Sequence, residues 1–134
     1  MLTQRLALQI ATGVSATLPI VLGLNGMFRG PAVLAKAFAY PAVVDSHFRY
    51  LSGLPVGMGI LLLRSLPNID QDGSDLRRVS LLVFIGGLGR LWGLITVGYD
   101  PRTMMITLSE LLVFPLIYAW QNRLQRNNTR SHMR

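Results

Sequence analysis

Long apolar runs separated by short polar segments give the chain its first outline. Leu6–Phe28 is 23 residues without a charge, interrupted by Gln9, Pro19 and Asn25. Tyr50–Leu63 is 14 uncharged residues between Arg49 and Arg64, and reaches 19 only if its helix starts at Asp45. Val79–Gly98 is 20 residues with Arg90 inside, and Thr103–Trp120 is 18 with Glu110 inside. A membrane-crossing helix needs about 20 mainly apolar residues, so the pattern predicts four spans. The first continues well past the usual length of a signal-peptide core and no Ala-x-Ala site follows it, so it reads as a retained helix.

The connections are predicted from their breakers. Residues 64–78, RSLPNIDQDGSDLRR, are polar with Pro67 and Gly73 and read as a solvated loop. YDPRT, 99–103, is a tight turn signalled by Asp100-Pro101, so spans three and four form an antiparallel hairpin. Residues 29–44, RGPAVLAKAFAYPAVV, are half apolar and proline-bounded, and are expected to lie at the membrane interface. The ending QNRLQRNNTRSHMR is basic, polar and expected to be disordered. The domain reading is therefore a transmembrane domain over 1–122 and a basic cytoplasmic tail over 123–134.

Composition agrees with this class. Half of the 134 residues (51%) are hydrophobic and 14% are charged, against about 25% charged in soluble domains; mean hydropathy is +0.42. The net charge of +7 is spread as punctuation between apolar runs rather than gathered on one polar face, which argues against nucleic acid. With both termini inside, Arg5, Arg64, Arg77, Arg78, Arg123, Arg126, Arg130 and Arg134 are cytoplasmic, while Arg29, Lys36, Arg49 and Arg102 are outside. That imbalance predicts an N-in, C-in topology.

The charges inside the spans are the candidate chemistry. Arg90 lies about 12 Å below Gly98 and Glu110 about 9 Å below Met104, at 1.5 Å per helical residue. They fall at similar depth on the two arms of one hairpin, and an ion alone at the bilayer centre costs about 2.5–3.5 kcal/mol on insertion scales. Pairing follows. Asp45 and Arg49 stand at i and i+4 on the same side of the membrane, so Asp45, Arg49, Arg90 and Glu110 are expected as one cluster of zero net charge. Thr107 and Tyr118 fall on roughly the same face as Glu110. Gly53-x-x-x-Gly57 and Gly89-x-x-x-Gly93, with Gly86 one turn before Arg90, are expected helix-packing positions.

These residues also carry a resemblance. VVDSHFRYLSGLPVGMGILLL, FIGGLGRLWGLITVG and SELLVFP are similar to the domain-of-unknown-function 4345 family of small bacterial membrane proteins, through Asp45, Arg49, Gly53, Gly86, Gly87, Arg90, Glu110 and Pro115. The resemblance implies a four-span bundle with a shared polar core, and no activity.

Other chemistries are poorly served. There is no cysteine, which excludes disulfides and thiolate sites. Asn68, Asp70, Asp72, Gly73 and Ser74 imitate half of a calcium loop, but Val79 stands where the bidentate glutamate belongs. His47 and His132 have no metal or haem spacing. No nucleophile elbow or phosphate loop is present, and Ser109-Glu110 lacks a histidine and an oxyanion hole. The reading is an all-α, multi-pass inner-membrane four-helix bundle with neither catalytic residues, metal nor cofactor. It is expected to act as an accessory or scaffold subunit against the lipid bilayer, packing with itself or a larger complex. The alternative is an oligomeric proton-coupled transporter of a cationic or amphiphilic substrate using Glu110.

Overall fold

The computed structural model describes residues 2–34 and 39–132. It contains four α-helices: α1, Leu2–Arg29; α2, Ala42–Ser65; α3, Ser74–Thr96; and α4, Pro101–His132. There is no strand among the described residues. All four helices are long and apolar enough to cross a membrane, over Thr3–Val33, Ala42–Asn68, Ser74–Thr96 and Pro101–Asn127. The weak second run thus becomes long enough to cross, because the helix starts before Asp45 and carries Arg49 two turns inside.

Burial is inverted relative to a water-soluble helix. On α1, Leu8, Thr12 and Ala16 are buried at i, i+4 and i+8, while Ile10, Val14, Leu18 and Val21 form an exposed apolar stripe. In water such patches would drive association. Lipid solvates them, and this is a membrane protein.

By contacts the chain separates into two compact units, Thr12–Arg64 and Met1–Ala11 with Ser65–Arg134. In the first, α1 and α2 run antiparallel and touch through small residues. A Cβ on Gly23 would sit 2.6 Å from the Ser52 carbonyl oxygen, and one on Gly59 2.8 Å from the Ala16 carbonyl oxygen. Ser52 donates its hydroxyl to the Phe48 carbonyl at 2.7 Å, so it enters this contact with its polarity satisfied. After α1 a short 3-10 turn covers Gly30–Val33, with Gly30 and Pro31 buried. The predicted interfacial segment lies partly outside the described residues, as do Lys36 and Arg134.

In the second unit α3 and α4 form the expected hairpin. Gly87 allows the approach: a Cβ there would meet Leu111 at 3.0 Å and Glu110 at 3.1 Å. Ser80 crosses to the Phe114 carbonyl at 3.2 Å, beside Pro115. Asp100 is the N-cap of α4, accepting from the Thr103 amide at 2.7 Å, and Pro101 takes the first helical position, where its missing N–H costs nothing. The Asp-Pro turn signal was in effect a helix start.

Two sequence expectations fail here for one reason. The 64–78 connection is only partly solvated: Pro67, Asn68, Gln71 and Asp72 are exposed, but Leu66–Asn68 is a 3-10 turn, Ile69 and Leu76 are buried, and several of its backbone carbonyls are claimed by side chains. Gln121 donates to the Ile69 carbonyl at 3.0 Å, Gln125 to that of Gln71 at 2.7 Å, and Gln9 to that of Leu66 at 2.9 Å. Arg5 donates to the Pro67 carbonyl at 2.7 Å and stands 3.3 Å from Asp70. Over its described residues the polar ending is helical rather than disordered, since α4 runs on to His132. Gln121 and Gln125 tie it to the connection, which supplies the ordering free energy that a polar helix lacks alone.

Candidate functional site

α3 and α4 set Arg90 and Glu110 opposite each other. Arg90 lies about 9 Å along α3 from Thr96, and Glu110 about 14 Å along α4 from Pro101, at 1.5 Å per residue. The difference is spanned by the long arginine side chain. Its Nε donates to one carboxylate oxygen of Glu110 at 3.0 Å and its Nη2 to the other at 3.0 Å. This forked geometry is the strong form of the charge-assisted bond. The pair is uncovered on one side: the Arg90 side chain is 44% exposed and that of Glu110 18%.

No other acceptor meets the Arg90 guanidinium among the described residues, so its Nη1 hydrogens are uncommitted. Thr107 is buried, but its hydroxyl is spent on the Thr103 carbonyl at 2.8 Å. Neither it nor Tyr118 hydrogen-bonds the ion pair.

Asp45 and Arg49 are built differently. Arg49 Nε and Nη2 reach Asp45 at 2.7 and 3.2 Å, while Nη1 donates to the carbonyls of Met27 and Phe28 at 2.7 and 2.8 Å. Those carbonyls end α1, where four acceptors lack helical partners and the helix dipole is negative. Arg49 therefore closes the C-terminus of α1, and Asp45 holds it there. Gly30, at φ +64°, leaves the helix in the left-handed region, with Arg49 Nη2 2.8 Å from where its Cβ would be. This pair is a clamp, with four of the five guanidinium N–H groups employed. Of the four charges expected as one cluster, Asp45 pairs with Arg49 in one unit and Arg90 with Glu110 in the other.

The packing glycines are largely other than those expected. Among the described residues nothing lies within 4 Å of a Cβ placed at Gly57, Gly86, Gly89 or Gly93, and Gly53 meets only Met27 at 3.7 Å. Close approach of one of the four long helices to another involves Gly23, Gly26, Gly59 and Gly87. The Gly23-x-x-Gly26 spacing on α1 was the sequence signal for two of them. Gly86 and Gly93, at i−4 and i+3 from Arg90, share its face of α3 and leave it open.

Outside the spans, hydrogen bonds from the Thr103 hydroxyl and amide hold the Asp100 carboxyl below its ordinary range. Those from the Ser74 amide and hydroxyl do the same for Asp72. Both are helix-start acceptors. Among the described residues, no three His, Asp or Glu side chains gather as metal ligands.

No curated protein and no solved structure matches the chain. A family described as "Domain of unknown function (DUF4345)" matches residues 7–121, a stretch that holds most of each of the four apolar runs together with Asp45, Arg49, Arg90 and Glu110. This four-helix membrane protein belongs to the DUF4345 family.

Proposed function

We propose that this chain is a non-enzymatic accessory or scaffold subunit of a cell inner membrane, working by packing against other membrane helices. The carrying observation is the Arg90–Glu110 pair, partly exposed on two apolar helices and flanked by glycines that nothing among the described residues fills. Ionised groups facing lipid are costly even when paired. A flat glycine face is where helix backbones approach closely. Together they fit a surface that is completed by protein.

The proposed topology places both termini in the cytoplasm. Arg5, Arg77, Arg78, Arg123 and Arg126 stand at the ends of α1, α3 and α4 that meet the Leu66–Gly73 connection, and Arg102 stands at the opposite end of the hairpin. That distribution supports the connection lying inside.

The test is a photo-reactive residue incorporated at Gly89 and, as control, at Ile95 on another face of α3, followed by irradiation of intact cells. Protein adducts at position 89 with only lipid adducts at 95 are expected. Lipid adducts at both would reject the reading. A Glu110→Gln variant that accumulates normally yet abolishes a proton-linked flux would replace it with the transport alternative.

A further inference from the structure

We infer that the open face of α3 is covered by a second copy of this chain, each Arg90 donating to the other copy's Glu110. The inference rests on the packing reading above and names the partner. The argument is the unspent valence of the ion pair. A guanidinium has five N–H groups, and two are used within the chain, one on Nε and one on Nη2. Three donors remain on Arg90, while each Glu110 oxygen accepts one of those bonds and retains a lone pair.

The uncovered side of the pair therefore offers both donors and acceptors at zero net charge. A lipid tail supplies neither, and a single ion would unbalance it. A second, oppositely facing copy of the same pair supplies both in the right number.

Depth selects a copy of the chain over other neutral partners. Two copies inserted in the same sense, related by a two-fold axis along the membrane normal, present Arg90 and Glu110 at identical depth without any further design. Such an interface is isologous, so residue i meets residue j and j meets i. On this face a Cβ at Gly86, Gly89 or Gly93 would meet nothing within 4 Å, so the partner's backbone can approach closely. Leu82, one turn before Gly86, is 50% exposed and would flank the contact. The exchanged arrangement is a ring of alternating charges, Arg90, partner carboxylate, partner guanidinium, Glu110, closed across the axis.

Two arms test it in native membranes. The chain has no cysteine, so Leu82→Cys places one thiol beside the face, and Ile95→Cys places one away from it. Oxidation is expected to give a disulfide dimer for Leu82→Cys and little for Ile95→Cys. In the second arm, Arg90→Glu and Glu110→Arg are expressed separately and together under different tags. Each alone carries two like charges and is expected to be depleted. Co-expression is expected to restore both and to make them co-purify, because the unlike pairs re-form only between copies.

Dimers without rescue would overturn the exchanged pairing. Cross-linking of Leu82→Cys to a different protein, with no self-dimer, would overturn the second copy while leaving the packing reading standing. No protein cross-link from this face would sink both.

Discussion

Gly73→Ala is the sharpest probe of the connection that the sequence misreads as solvent. Gly73 has φ −94° and ψ 13°, a backbone state open to alanine, so conformation alone would favour the substitution by about 0.4–1 kcal/mol through the unfolded chain. Sterics oppose it. The added Cβ falls onto the side-chain amide of Gln121, which is 1% exposed and bonded to the Ile69 carbonyl. To make room the amide must leave, and an unsatisfied buried carbonyl costs about 1–3 kcal/mol. The net expectation is destabilisation by about 1–2 kcal/mol.

The coupling is the stronger test. In a Gln121→Ala background the obstacle is already gone, so Gly73→Ala becomes neutral or stabilising, a non-additivity of about 1–2 kcal/mol expected of residues in direct contact. The assay is SDS titration of the purified chain in mixed micelles, with helicity followed by circular dichroism across all four members of the cycle. Additive effects, or a Gly73→Ala chain as stable as its parent with Gln121 in place, would refute the packed connection.

Three further outcomes are expected. Gly30→Ala is destabilised by about 2 kcal/mol, combining left-handed strain with displacement of Arg49 from the end of α1; Gly57→Ala, which meets nothing, gains about 0.5–1 kcal/mol in the same titration. Because Asp100 and Asp72 have lowered folded pKa values, their contributions are complete above the unfolded carboxylate value of about 3.9 and disappear as pH falls through the folded values; an acid-side stability profile flatter in Asp100→Ala than in the parent checks this. Arg90→Gln leaves Glu110 unneutralised within its span and is expected to cost about 2.5–3.5 kcal/mol, read as reduced membrane abundance; in the chain carrying both Arg90→Glu and Glu110→Arg the abundance returns.

The apolar runs alone determined that the chain is helical and that it carries four helices long and apolar enough to cross a membrane, because lipid leaves a backbone few ways to satisfy itself. They also determined that Arg90 must meet Glu110: two opposite charges at similar depth on one hairpin leave few other partners. Tertiary structure decided the rest. Whether Gln121 and Gln125 ended a solvated tail or gripped the carbonyls of Ile69 and Gln71 depended on residues about fifty positions away, which no local pattern encodes. That Arg49 also caps the last carbonyls of α1 was visible only once the fold placed Met27 and Phe28 within its reach. Glycine spacing alone did not say which helix each face meets: Gly86, Gly89 and Gly93 meet nothing among the described residues, while Gly23, Gly26, Gly59 and Gly87 lie against a neighbouring helix of the same chain. A missing side chain permits approach from any direction, and only the packed helices determine which side is occupied.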